Sequence, residues 1–480
     1  MKSKFSQLGV YADLAVGMVS RSSNQIVGLL ITIVAIPILS PTEFGIFALA
    51  SSFVAIARTL LYSATFQYII QTDKLTEYSS ECIVVSSLVA LLVTGATLAL
   101  LFFADPFGSP QLLHFFLILA PSNILSVFSA WQEAQLLRSG KLKGYYGITA
   151  ATEFASAFVA IGLLFSGTGL IALAWQIYLR SLLLVIGYRL LSRPVLSDRL
   201  SWRNLIEVSR WSLPQYGSMT TGLVSAYGAD FIVGAVLSPA ATGVFRAANR
   251  IVTAVGDVCG QPIRIIALTL FSRRTSKGLK SDEAYVRILA LTILLPGTVL
   301  MGLAILAPVA IPIAVRPDWN GVEMIVVYLC LGRFFSIVQA VSTPLLIAYG
   351  RQNVLFPTQL VFSAILVGGL LFAAQYGVTE AAWAFTISAA IGGLVITGLA
   401  FKTAESNKTS AWRSLTPPLA CALLGNGAAL VSLHALLPHT DVIVALAACI
   451  LVAIAVFGVT AVILRREIAS TVAAINKVDP

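Results

Sequence analysis

Four charged residues stand in one apolar stretch at spacings that could do chemistry. Arg246, Arg250, Asp257 and Arg264 follow one another at intervals of four, seven and seven residues. At about 100° per residue they fall within roughly 40° of one another on a helix. Gln261 lies near the same face, and Pro262 marks the place where a bend is expected. An arginine at the centre of a membrane-spanning helix costs roughly 2.5–3.5 kcal/mol on insertion scales, so it must face protein or water. A stripe of this kind is expected to line a cavity.

Other apolar stretches repeat the logic. Ser51, Arg58, Tyr62 and Thr65 share one helical face, and Arg21, Asn24 and Gln25 stand together near the start of the chain. Gln215, Ser218, Thr221 and Ser225 form a polar stripe. Asp230 lies off that stripe and is the candidate for a coupling ion, sodium or a proton. Glu153 and Arg180 sit at similar depth on adjacent stretches and are expected to form a structural pair. Arg333 has no evident partner in the sequence. Within the apolar stretches seven arginines stand against four acids, Glu133, Glu153, Asp230 and Asp257. Cations in a low-dielectric cleft favour an anionic ligand. Arginine suits phosphate, because its planar fork meets two oxygens at once.

The same inventory speaks against catalysis. An enzyme acting on a sugar chain needs paired carboxylates or a positioned base. His114, His434 and His439 each fall near a helix end, without metal-ligand spacing. The five cysteines, Cys82, Cys259, Cys330, Cys421 and Cys449, are far apart and form no C-x-x-C. No catalytic residue, metal or cofactor is expected.

The elements that must position these residues are transmembrane helices. The chain has 480 residues, 58% hydrophobic and only 11% charged. A soluble domain carries about 25% charged residues. Apolar spans of roughly 20 residues recur near 16–39, 44–70, 80–103, 112–137, 146–165, 170–188, 211–236, 242–270, 286–312, 322–349, 355–374, 381–401, 415–435 and 442–464. That predicts an all-α integral membrane protein of about fourteen helices.

One set of connecting loops, 40–43, 104–111, 166–169, 237–241, 313–321, 375–380 and 436–441, contains a single basic residue, Arg316. The other set, with both tails, contains 22, among them Lys141, Lys143, Arg273, Arg274, Arg465 and Arg466. The basic set is expected in the cytoplasm, with both termini there. The net charge of +10 then serves topology and anionic lipid rather than nucleic acid. The other loops, all under about ten residues, leave no room for an extramembrane catalytic domain.

The chain also repeats itself. Leu39-Ser40-Pro41, Gly45, Phe47 and Ala48 recur as Leu237-Ser238-Pro239, Gly243, Phe245 and Ala247, with Leu, Ser, Pro, Gly and Phe at a constant offset of 198. Gly140-Lys141 and Gly350-Arg351 form a weaker echo. Six spans plus six in a parallel repeat suit a transporter. The expected divisions are residues 1–192, residues 193–404, and residues 405–480 with the last two spans and a cytoplasmic tail.

The stretch Phe44-Gly45-Ile46-Phe47-Ala48-Leu49-Ala50, Gln71, Leu137-Arg138, and Asp230-x-x-x-Gly234-x-x-Leu237 before Gly243-x-Phe245 carry a resemblance. They resemble the polysaccharide transport family, the Wzx-like oligosaccharide flippases of the multidrug/oligosaccharidyl-lipid/polysaccharide exporter (MOP) superfamily. The resemblance implies a two-lobed bundle in the bacterial cytoplasmic membrane. It also implies a cargo, an undecaprenyl-diphosphate-linked oligosaccharide, moved by alternating access around a cationic cleft. A polysaccharide polymerase and chain-length machinery would be partners, and a single chain would suffice. Related flippases for the peptidoglycan precursor use arginines on the first, second and eighth helices, which Arg21, Arg58 and Arg246 or Arg250 match by helix. Ser22 stands where those proteins carry an acid beside the first-helix arginine. Two alternatives remain: a drug exporter of the same superfamily, which should carry excess buried acid, and a membrane sugar polymerase or ligase.

Overall fold

A computed structural model describes residues 23–72, 74–197, 200–404 and 408–463. Every regular element among them is a helix. The chain forms two units, Met1–Arg246 and Ala247–Pro480.

The first unit opens with α1 (Ser23–Ala35). It continues with α2 (Pro41–Leu61), α3 (Ala64–Gln71), α4 (Leu75–Ala99), α5 (Pro110–Leu119) and α6 (Ser122–Arg138). Then come α7 (Leu142–Phe165), α8 (Leu170–Leu191), α9 (Trp202–Val236) and the start of α10 (Pro239–Ser276). Two expected spans are each built from two helices: α2 and α3 part at Tyr62-Ser63, and α5 and α6 part at Ala120-Pro121. A proline at 121 lacks the N–H that would continue the ladder.

The repeated Leu-Ser-Pro proves to be a helix start. Ser40 caps α2 in a capping box: its hydroxyl accepts from the Glu43 N–H at 3.3 Å, and its own N–H donates to the Glu43 carboxylate at 2.9 Å. Pro41 occupies the first turn, where an N–H would be orphaned anyway. In the second copy the Ser238 hydroxyl accepts from the Ala241 N–H at 3.1 Å, with Pro239 opening α10.

The long connection before α9 is a pinned strap. Gln135 on α6 exchanges two hydrogen bonds with the Val195 backbone, at 2.8 and 3.1 Å. Glu81 on α4, fully buried, accepts from the Ser197 hydroxyl at 3.1 Å and the Ser201 N–H at 3.0 Å. The strap seats α9 against α2, α3 and α4.

The second unit holds the rest of α10, then α11 (Asp282–Thr292), α12 (Thr298–Ala314), α13 (Val322–Ala348) and α14 (Gln352–Ala373). It ends with α15 (Val378–Ala404), α16 (Lys408–Leu436) and α17 (Val442–Ile463). α11 and α12 make one span, joined by a π-helical turn that contains Pro296. Phe271, Tyr285, Val341, Leu345, Ile396 and Ala400 form a buried core where α10, α11, α13 and α15 meet.

Twelve helices or helix pairs are long and apolar enough to cross a membrane, and the bent pair within α9 makes a thirteenth. The first expected span is represented by α1 alone, because its earlier part lies outside the described residues. The bend expected at Pro262 does not interrupt α10, which continues through it as one helix. The bent span is α9, between Trp202–Gly217 and Gly222–Val236.

Candidate functional site

In the second unit, α10 presents Gly256-x-x-x-Gly260, a spacing that puts two bare backbone positions on one face. A side chain at Gly256 would meet the Arg333 Cγ at 2.8 Å and its Nε at 3.3 Å. One at Gly260 would meet Ile337 at 3.1 Å. The two glycines therefore let α13 lie close and let Arg333 run along α10, where it ion-pairs with Asp257.

Around this pair is a cavity of about 180 Å³, lined by Asp257, Gln261, Arg264, Arg333 and Ser336, with Ile337 and Ala340 at its apolar wall. Water takes about 30 Å³ per molecule, so the space holds a phosphate-sized anion and little more. Two guanidiniums against one carboxylate leave it with net positive charge. Arg264 is exposed, and among the described residues it makes no ion pair or hydrogen bond. The Arg333 Nε is buried and has no hydrogen-bond partner. The cavity thus offers one uncommitted fork and one spare donor.

α13 also borders an apolar cavity of about 470 Å³, lined by Leu300, Met301, Leu331, Phe334 and Leu419 among others. Phe334 follows Arg333 directly, so one helix carries the wall of both a polar and an apolar cavity.

The first unit holds two further polar groups. Arg58 on α2 lies over the Tyr62 ring, 5.6 Å from its centroid, and shares the field of Glu133 and Glu153. Glu133 on α6 accepts from Tyr145 at 2.8 Å and from Tyr188 at 3.4 Å. Glu153 on α7 ion-pairs with Arg180 on α8, as the sequence led us to expect of that pair. Two arginines and two carboxylates balance here. The second group is Asp230 on α9, almost wholly buried, which accepts from Arg246 at 2.6 Å and from the Ser52 hydroxyl at 3.0 Å.

The expected cationic stripe is therefore divided among partners. Arg246 is engaged by Asp230 at one end of α10, and Arg264 borders the cavity at the other. Arg250 is half-buried between them. Asp257 holds Arg333 of another helix, a pairing that the spacing of α10 could not reveal. Asn24 is exposed, and Gln25 and Gln215 are half-buried. Arg21 and the side chain of Ser218 lie outside the described residues. Sequence reasoning missed the roles of Arg333 and Ser336, although the glycine pair on α10 was a signal that a neighbour comes close there.

A family model described as "Polysaccharide biosynthesis protein" matches residues 37–325. The chain belongs to the polysaccharide biosynthesis protein family. No curated protein sequence matches it. Among solved structures, this family member is similar to a lipid II flippase, MurJ, in an inward closed conformation. The identity is 15%, over 94% of this chain and 99% of the other, with a TM-score of 0.76. It is also similar to an inward-facing multidrug resistance MATE transporter of the MOP superfamily, with 13% identity over 81% and 96% of the chains and a TM-score of 0.59. A eukaryotic MATE transporter matches with 15% identity over 86% and 99%, at a TM-score of 0.51. The polysaccharide biosynthesis protein therefore has the MurJ/MATE fold.

Proposed function

We propose that this protein is a flippase that carries a lipid-diphosphate-linked oligosaccharide from the cytoplasmic to the outer leaflet of a bacterial inner membrane, for surface polysaccharide biosynthesis. The observation that carries the reading is the net-positive cavity of about 180 Å³ with Arg264 uncommitted at its rim. A guanidinium fork in a partly desolvated cavity is selective for paired anionic oxygens. The apolar cavity bordered by the same helix suits the hydrocarbon that such a headgroup is joined to. The family's printed description supplies the polysaccharide, and the fold it shares with a lipid II flippase supports a lipid-linked form of it.

With the basic loops and both termini in the cytoplasm, a diphosphate moves outward with the field of an electrically negative interior. That releases about 2.3 kcal/mol per charge per 100 mV. The membrane potential alone is then a sufficient drive, and no cofactor takes part. A drug-exporter reading is less well supported, because Asp230 and Asp257 are both held by arginines.

Thermal unfolding of the purified protein tests the headgroup assignment. Farnesyl diphosphate is expected to raise Tm saturably, as a ligand of the native state must. Farnesyl monophosphate should do so more weakly, and farnesol not at all. Equal shifts with all three would mean that only the hydrocarbon is recognised, and would remove the diphosphate from the proposal.

A further inference from the structure

The two copies of the internal repeat touch each other. A Cβ on Gly45 would run into the carbonyl oxygen of Pro239 and come within 3.0 Å of the Gly243 nitrogen. A Cβ on Gly243 would run into the carbonyl oxygen of Pro41 and come within 3.0 Å of the Gly45 nitrogen. Each glycine thus meets, in the other copy, the residue equivalent to its own proline: both steps carry the offset of 198. The first turns of α2 and α10 cross backbone on backbone, and only glycine permits it. The capping serines that open both helices place the crossing at one end of the spans. That end adjoins loops 40–43 and 237–241, which contain no basic residue.

Just inside the crossing, on the same helices, lies the Ser52–Asp230–Arg246 group. Ser52, Thr242 and Leu49 around it are fully buried. A buried ion pair returns little net stability, because desolvation offsets its attraction, yet it is exacting about geometry. It suits a contact that must form in one register and also part.

We propose that this reciprocal glycine crossing, latched by Asp230 with Arg246 and Ser52, is the seal on the side opposite the basic loops. It parts for cargo release. A contact between equivalent points of two repeats lies on the axis that relates them, so at this face it is where the repeats meet. A carrier that opens there has to separate them. Arg246 and Asp230 then serve the seal rather than the cargo or a coupling ion. The inference rests on the transport reading, but its test needs no cargo.

The test uses Leu49→Cys in the full chain in membranes, with the parent chain as the background for the native cysteines. Reaction with a membrane-impermeant maleimide added on the far side is measured. The reporter alone is expected to react slowly. Adding Gly243→Ala, Gly45→Ala or Ser52→Ala should raise its rate at least about tenfold. Unchanged rates in all three backgrounds, at parental abundance, would overturn the proposal. Failure of all three to accumulate would also overturn it, by making the contact part of a permanent core. A reporter that behaves as stated, in a protein that moves no diphosphate lipid, would count against the cargo reading alone.

Discussion

Arg264→Ala is expected to slow transport of a lipid diphosphate by about 10- to 100-fold while the protein remains as abundant and as stable as its parent. The side chain is exposed and, among the described residues, makes no ion pair or hydrogen bond, so its loss breaks no contact of the fold. Substitutions at such positions usually stay within about 0.5 kcal/mol. Its neighbours Ile266 and Leu268 are apolar and exposed, so the charge stands in a setting where it costs free energy to keep. Function is the reason to keep it. A hydrogen bond to a charged group contributes about 1.5–3 kcal/mol, which is the stated range at about 1.4 kcal/mol per tenfold. Arg264→Lys should recover part of the rate, because it restores the charge but not the fork. The rates come from vesicles containing each variant, and stability from thermal unfolding. A variant that transports normally would exclude Arg264 from the site.

Arg180→Met should do the opposite. It is expected to destabilise the first unit by about 3–5 kcal/mol, the usual result of leaving one member of a buried ion pair alone. Glu153 is 2% exposed and Arg180 15%, so water cannot take over the lost partner. Glu153→Gln combined with Arg180→Met removes both charges and should recover most of the stability. Thermal unfolding of the single and double variants measures the coupling directly. Stable single variants with lost transport would instead bring this pair into the transport site, beside Arg58.

The spans were legible because lipid imposes a simple rule. About 20 apolar residues are needed to cross, and the loop charges alternate. The breaks within spans were less so. Tyr62-Ser63 divides α2 from α3 without a proline or glycine to announce it. The repeat was visible as letters, and the structure explains the letters: serine caps, proline opens, and glycine lets one helix start lie on the other. The charge stripe on α10 was correctly placed on one helix, but helical periodicity says nothing about what lies opposite. Asp230 with Arg246 and Asp257 with Arg333 are pairings between helices, fixed by packing rather than spacing. The strap before α9 was hidden for the same reason. Its serines and Glu81 read as ordinary loop and helix-end residues until the fold brings them together.

The most direct measurement is translocation in vesicles that contain only the purified protein and a fluorescent isoprenoid-diphosphate oligosaccharide. Arrival at the opposite leaflet is followed by access to a membrane-impermeant quencher. The diphosphate-linked lipid is expected to cross well above the protein-free rate, and faster when the potential drives anions in the direction of export. Vesicles containing Arg264→Ala should fall close to the protein-free rate. A diphosphate lipid that crosses no faster than without protein, in vesicles where the same preparation moves an organic cation, would contradict the account.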